Sequence, residues 1–293
     1  MLVFDFRLSK LVGLFFALFS VATCAADIRD ARGKVFAPRH AQRIVTLAPH
    51  LAELIAAMGA APRIVGVSRF SDYPPQLSSR PLVGDAAKLD IERIVALKPD
   101  LIIGWLSGNS GAEIARLERL GFPVFVAESR RLADIPTGLR ELGRLIDANG
   151  AQAARPFERA IEGYRKQRRE PRLSVFYQLW FQPLMTMNGA HWISDVIALC
   201  GGENVFADAV PLAPTVSVEA ILQKNPEVVL ASVSADLAAE QLDSWRRYTQ
   251  LQAVKRNALY RVGSDDLHRP TPRLLNGIEQ VCRALDHARA AAP

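Results

Sequence analysis

The sequence DIERIVALKPDLII at residues 90–103 has a similar second copy, SVEAILQKNPEVVL, at residues 217–230. The two segments align without a gap. Each copy begins with a residue that favours a helix N-cap, Asp90 or Ser217, and places Glu at the second helical position. Each copy then reaches a Pro and enters an apolar run, which predicts a short helix that feeds a buried strand. A repeat of this kind predicts two similar lobes.

Short apolar runs alternate with helix-period segments along the rest of the chain. Strand candidates lie at residues 43–47, 64–67, 101–103, 124–126, 175–178 and 259–262. Residues 51–58 have the composition of a helix that stops at Gly59. This alternation is typical of βαβ units, so we predict an α/β fold with mostly parallel central sheets.

The two lobes need a connection, and residues 151–170 have the pattern of one long helix. Apolar residues such as Phe157 and Ile161 recur there at helical spacing among many charges. We predict an N-terminal lobe at residues 27–150 and a C-terminal lobe at residues 171–293, joined by this helix. A single stiff connector permits only modest hinge motion.

The first 26 residues resemble a secretory signal. Arg7 and Lys10 precede an apolar run at residues 11–22, which ends among small residues. The run is shorter than the roughly 20 residues that a membrane-spanning helix needs. We therefore predict cleavage after Ala26 and a periplasmic mature protein. Lipidation of Cys24 is the alternative, disfavoured because Thr is a poor residue immediately before a lipidated cysteine.

Cys200 and Cys282 are the two cysteines that follow the leader. An exported protein meets an oxidising compartment, so we predict a disulfide between them. In the chain-entropy model, closing so long a loop stabilises the fold by roughly 4–5 kcal/mol. Two buried free thiols are the alternative.

Charge and motif content argue against several function classes. The formal net charge is +6, and the leader contributes +1 of it (Arg7 and Lys10 minus Asp5). The basic residues are scattered and form no recognisable reader motif, so we expect no nucleic-acid partner. The sequence has no nucleophile elbow, His-Glu-x-x-His helix or phosphate-binding glycine loop. We therefore disfavour an exported hydrolase and predict that the protein is not an enzyme.

A family resemblance is carried by residues 43–49, 67–75, 91–102 and 200–206 and by the pair Pro272-Arg273. These segments resemble the helix-linked periplasmic binding proteins of ABC importers, and within them the cobalamin-binding members. The resemblance implies a monomer that carries cobalamin or a related corrinoid to a permease and its ATPase. The corrinoid would be a transported ligand, with no cofactor required. Haem and iron–siderophores, which other members carry, are the alternative ligands, and a surface adhesion or scaffold module is the alternative outside the family.

The resemblance also implies a docking role for two acidic residues. In the family, a Glu on the tip of each lobe docks onto arginines of the permease, and Glu92 and Glu219 occupy those positions here. The helix dipole favours Glu near a helix N-terminus by about 0.3–1 kcal/mol whatever its function. Their placement in both copies of the repeat favours docking.

Candidate ligand contacts lie where strands end and loops begin, because parallel sheets present ligand-binding loops there. A corrin has a broad apolar ring edged by amides, which suits flat aromatic surfaces and a few hydrogen-bonding groups. The candidates are His50, Phe70, Tyr73, Trp105, Trp180, Asp265 and Arg269. We expect no bound metal of the protein's own, although a neutral His50 could bind cobalt or haem iron axially.

Other positions bear on the ligand less directly. Ala86, Ala213 and Leu179 stand where the resembling cobalamin binders carry cleft aromatics, which leaves a different corrinoid or a haem-like ligand open. Trp192 and Trp245 lie on helical segments away from the predicted loops, and we expect them to pack in the core.

Overall fold

The structure is a computed structural model that describes residues 27–233 and 238–291. The predicted leader, including Cys24, lies outside the described residues. The described chain opens with an antiparallel hairpin of β1 (Ile28–Arg29) and β2 (Val35–Phe36). Within the described ranges, no helix is both long enough and apolar enough to cross a membrane.

The N-terminal lobe is built on a four-stranded sheet. Its strands are β3 (Ile44–Thr46), β4 (Ile64–Val67), β5 (Leu101–Trp105) and β6 (Val124–Ala127). Its helices are α1 (Pro49–Ala57), α2 (Ile91–Leu97), α3 (Gly111–Arg119) and α4 (Asp134–Ile146), and α5 (Gly150–Lys166) follows. Short 3₁₀ turns lie at Ala61–Arg63 and Pro75–Leu77. The strands are parallel and lie in the order β4-β3-β5-β6.

Alternate residues of this sheet belong to two separate hydrophobic clusters. Ile44 and Ile103 pack with α1 and α4, whereas Val45 and Ile102 pack with α2 and α3. Both faces of the sheet are therefore buried, as expected for a parallel sheet whose crossovers are helices.

The C-terminal lobe repeats this plan. Its strands are β7 (Leu173–Gln178), β8 (Gly202–Asn204), β9 (Val228–Val233) and β10 (Leu259–Gly263). Its helices are α6 (Trp192–Leu199), α7 (Val218–Lys224), α8 (Ala238–Asp243), α9 (Gln252–Lys255), α10 (Ser264–Leu267) and α11 (Leu274–Ala290), with a 3₁₀ turn at Ser244–Arg247. The strands are again parallel, in the order β10-β9-β7-β8. Counted within its own lobe, each sheet has the strand order 2-1-3-4.

The sequence repeat is the same structural unit in both lobes. α2 leads into the third strand of the first sheet, and α7 leads into the third strand of the second. Asp90 and Ser217 each cap a helix by accepting a hydrogen bond from the backbone N–H three residues further on, at 2.9 and 3.2 Å. Both helices end at a residue in the left-handed conformation, Lys98 (φ 47°) and Asn225 (φ 43°). The predicted α/β fold with two parallel sheets is confirmed.

A helical pair, rather than one isolated helix, runs between the two sheets. The helix predicted over residues 151–170 is α5, which at 17 residues is about 25 Å long. Its Ala154 lies in the first lobe's core, and its Phe157 lies in the second lobe's core. α4 packs along α5 and also contributes to both cores, through Leu142 and Ile135 respectively. α4 was not among the helices predicted from the sequence.

The predicted disulfide is present. Cys200, at the end of α6, is bonded to Cys282 in α11, with 4.6 Å between their Cα atoms. Both residues are buried in the core of the second lobe. Trp192 and Trp245 are likewise buried, as predicted for core residues.

Candidate functional site

Residues from both lobes line a cavity of about 800 Å³. Phe70, in the loop after β4, is the one described lining residue that belongs to the first lobe. The other described lining residues belong to the second lobe. The lining consists of Phe70, Leu179, Trp180, Phe181, Gln182, Met185, Ser232, Gln241, Ser264, Asp265 and His268. The loop after β7, the end of β9, and α10 with the residue after it supply much of this surface. The cavity thus adjoins the carboxyl ends of parallel strands, where such sheets present binding residues.

Two aromatic side chains stand in this cavity with most of their surface exposed. Phe70 is 69% exposed and Trp180 is 62% exposed. Phe70 also has a left-handed backbone (φ 67°), a conformation that a bulky residue rarely adopts. Exposed rings and a strained backbone are unfavourable in isolation. A ligand with a flat apolar face would cover both rings, one from each lobe.

The polar groups of the lining are almost all neutral. Burial lowers the pKa of His268 to about 4, although nearby Asp265 opposes that shift, so the imidazole is uncharged at neutral pH. Gln182, Gln241, Ser232 and Ser264 supply amide and hydroxyl groups. Among the described lining residues, Asp265 carries the one permanent charge, and none is Lys or Arg.

A buried ion cluster joins the two lobes beside the cavity. Glu53, on α1, is only 4% exposed and accepts hydrogen bonds from Arg269 (2.7 Å), Thr271 (3.0 Å) and Arg273 (3.2 Å). Burial raises the pKa of Glu53, while the two guanidinium groups and the Thr271 hydroxyl oppose the shift. The cluster ties α1 of the first lobe to the segment that follows α10 in the second.

Arg269 donates hydrogen bonds to the carboxylates of three residues. Besides Glu53, it donates to Asp72 of the first lobe at 2.9 Å and to Asp265 of the second at 3.0 Å. The three carboxylates outnumber the two guanidinium groups of Arg269 and Arg273, so the cluster presents no excess positive charge to the cavity. Its net charge favours neutral or cationic groups over anions at this edge.

The structure brings three of the seven predicted ligand-binding residues into this cavity: Phe70, Trp180 and Asp265. Arg269 adjoins them through its hydrogen bond to Asp265. Tyr73 lies outside the lining and stacks beneath Arg273, whose guanidinium carbon is 4.3 Å from the ring centroid. All seven assignments as ligand contacts stay predictions.

His50 and Trp105 lie together in the first lobe, edge to face with their ring centroids 5.1 Å apart. His50 lies in the first turn of α1, which begins two residues before the helix predicted at residues 51–58. It lines a smaller pocket of about 240 Å³ that includes Asp30 and Glu141. Burial lowers its pKa to about 3, so its imidazole is neutral.

Sequence reasoning missed two residues of this region. His268 lies three positions after Asp265, a spacing that places both on one face of a helical turn and could have revealed it. Glu53 left no such signal, because its partner Arg269 is 216 residues away along the chain. A contact of that range depends on how the lobes pack.

The two candidate docking residues occupy equivalent places. Glu92 and Glu219 are exposed in the first turns of α2 and α7. Its own backbone N–H and the Ser217 hydroxyl lower the pKa of Glu219, so that side chain is ionised at neutral pH. Within residues 27–233 and 238–291, no group of three or more His, Cys, Asp or Glu side chains is placed to hold a metal ion.

Comparison with known proteins identifies related sequences and structures. The model of the periplasmic binding protein family matches residues 44–265. The vitamin B12-binding protein of Vibrio cholerae serotype O1 is 38% identical over 257 residues, which cover 86% of this chain and 92% of the relative. The crystal structure of periplasmic vitamin B12 binding protein BtuF of Vibrio cholerae aligns with a TM-score of 0.77 and 36% identity, covering 86% of this chain and 99% of that one. Periplasmic heme binding protein HutB of Vibrio cholerae shares the fold, with a TM-score of 0.73 and 20% identity over 83% of this chain and 98% of that one.

Proposed function

The chain belongs to the periplasmic binding protein family, and on that basis we propose that it binds cobalamin or a related corrinoid for an ABC importer. The observation that carries the proposal is the cavity lined by both lobes, with Phe70 and Trp180 exposed inside it. Its volume of about 800 Å³ falls in the range of roughly 300–1,000 Å³ typical of small-molecule sites. A corrin offers a broad apolar face for both rings.

The charges at the cavity support a corrinoid over haem. A corrin is edged by neutral amides, whereas haem carries two propionates, which are anionic at neutral pH. Asp265 lines the cavity, and Arg269 is already bound by Glu53, Asp72 and Asp265. Propionates entering here would meet a carboxylate, and none of the described lining residues is a Lys or Arg that could compensate for it. Amides can instead bond to Gln, Ser and His side chains.

We assign the chain binding and delivery rather than catalysis. Its relatives are binding proteins, and a binding protein needs only preorganised contacts. The α4–α5 pair and the Glu53 cluster both connect the lobes, which limits the loss of conformational entropy on closure. The ligand would be released when the permease moves the lobes apart. The mature protein would be periplasmic and monomeric, after removal of the leader.

Glu92 and Glu219 would dock the two lobes onto the permease. Each is an exposed carboxylate at the same place in its lobe, as expected for docking onto a permease that contacts both lobes. The Glu92→Arg, Glu219→Arg double variant should abolish uptake in cells, while the purified protein keeps its corrinoid affinity. Unchanged uptake would remove the docking assignment, and lost affinity would show that these residues act on the ligand site.

Absorption titration tests the ligand assignment. Purified mature protein is titrated with cyanocobalamin, and the complex is then challenged with an equal concentration of haemin. We expect one cyanocobalamin per protein, without displacement by haemin. Displacement by haemin would reassign the ligand to the haem class, and failure to bind either compound would refute the proposed function.

A further inference from the structure

The Glu53 carboxylate joins two separately packed cores. Leu51, on the same helix α1, lies in the core of the first lobe. The three side chains that donate to Glu53 lie within residues 269–273. That segment is flanked by Leu267 and Leu274, which both belong to the core of the second lobe. The hydrogen bonds of Glu53 therefore run from one hydrophobic core to the other.

The Asp195 carboxylate, on α6, makes a link of similar chemistry that stays within one core. It accepts hydrogen bonds from the side chain of Arg131 and, at 2.9 Å, from the backbone N–H of Leu132. Both donors precede α4 and belong to the first lobe in sequence. Leu132 and Ile135 nevertheless pack in the core of the second lobe. The segment that bonds to Asp195 should therefore move with the second lobe, and separating the lobes should leave this link intact.

Separating the lobes would break the hydrogen bonds of Glu53. Because Glu53 is buried, its bonds to Arg269 and Arg273 lie in a dry site, where breaking a charged hydrogen bond is most costly. Asp72 and Tyr73 of the first lobe contact the same two arginines, but both are exposed. Exposed ion pairs contribute little. Among these described contacts, the bonds of Glu53 should oppose opening most strongly.

We propose that the Glu53 cluster sets the rate at which the two lobes separate, and thereby the rate of ligand release. The second part rests on the proposed function, in which the ligand lies between Phe70 and Trp180 and leaves when the lobes part. Glu53 is not among the described lining residues of the cavity. It is therefore a positioning residue, which holds the lobes together through its partners and does not touch the ligand. Asp195 has no such effect, because its link lies within the second lobe.

Release of ⁵⁷Co-labelled cyanocobalamin into an excess of the unlabelled compound tests this role. Glu53→Gln keeps the size of the side chain but removes its charge, and should raise the dissociation rate constant at least about tenfold. The association rate constant, followed by quenching of tryptophan fluorescence, should stay within about threefold of the wild type, since such changes act mainly on dissociation.

Asp195→Asn is the matched control, because it makes the same change in a carboxylate that also bonds to an arginine. It should leave both rate constants unchanged. The proposal is overturned if Glu53→Gln releases cyanocobalamin at the wild-type rate, or if Asp195→Asn accelerates release as much as Glu53→Gln does.

A second measurement concerns lobe separation itself and needs no ligand. Spin labels on Arg119→Cys in α3 and Gln223→Cys in α7, both exposed positions, report the distance between the lobes in the mature protein. The cysteines of the described chain are bonded to each other, so the labels react with the introduced ones. Adding Glu53→Gln should broaden the distance distribution towards longer values, whereas adding Asp195→Asn should not.

An unchanged distribution in Glu53→Gln would overturn the proposal whatever the protein binds. If the distribution broadens but the wild type does not bind cyanocobalamin, the proposed function is refuted and the role of Glu53 in lobe separation is supported.

Thr271→Val provides the test if Glu53→Gln does not fold. It removes the hydroxyl that donates to Glu53 at 3.0 Å and replaces it with a methyl group of similar size. Losing one hydrogen bond of the cluster should raise the dissociation rate constant about fivefold. Release at the wild-type rate from Thr271→Val would contradict the proposal.

Discussion

The two lobes have the same framework but contribute unequally to the cavity. Both sheets have the strand order 2-1-3-4, and in both a capped two-turn helix feeds the third strand. Among the described lining residues, however, Phe70 alone comes from the first lobe. The first lobe also contributes Glu53, which accepts a hydrogen bond from Arg269 and does not itself line the cavity. The repeat therefore specifies the scaffold, and the loops that follow the strands specify the site.

The disulfide gives the largest expected difference between the lobes, because it lies wholly within the second. In the chain-entropy model, replacing both cysteines in Cys200→Ala, Cys282→Ala should lower that lobe's free energy of unfolding by about 4 kcal/mol. Trp180, Trp192 and Trp245 all lie in this lobe, so tryptophan fluorescence during urea unfolding reports mainly on it. An unchanged urea midpoint in the double variant would show that the bridge contributes nothing to stability.

Breaking the ion cluster should have the next largest effect. Glu53→Ala leaves two largely buried guanidinium groups without this carboxylate and should destabilise the protein by about 3 kcal/mol. Asp72→Ala is the matched control, because Asp72 bonds to the same arginine but is 58% exposed; its loss should cost about 1 kcal/mol or less. Urea unfolding of both variants measures the difference. Equal losses would mean that the cluster is not a buried link between the lobes.

Removing a helix cap should destabilise the protein by a similar amount in either lobe. Asp90→Ala and Ser217→Ala each remove the acceptor for one backbone N–H and should each cost about 1 kcal/mol. Thermal unfolding of the two variants, compared with that of the wild type, gives the values. A loss at one cap alone would mean that the two copies of the repeat are not energetically equivalent.

The sequence predicts the framework well because local signals decide it. Each cap residue, apolar run and Pro of the repeat acts on its immediate neighbours, so α2, α7, β5 and β9 could be predicted. The site depends on longer contacts and on backbone conformation. Neither the left-handed backbone of Phe70 nor the pairing of Glu53 with Arg269 follows from any nearby residue. His50 was predicted to contact the ligand because it lies near a strand end, and this stays a prediction; the structure places it in the first turn of α1, where it lines a smaller pocket.

The central claim is that one ligand site is shared by both lobes, and calorimetric titration of aromatic variants with cyanocobalamin tests it most directly. The wild type should bind one equivalent. Phe70→Ala in the first lobe and Trp180→Ala in the second should each weaken binding roughly tenfold, since each removes about 1.4 kcal/mol or more of ring contact. Tyr248→Ala, an aromatic variant outside the cavity, should bind as the wild type does. If either cavity variant binds cyanocobalamin as tightly as the wild type, the site is not shared between the lobes and the claim is contradicted.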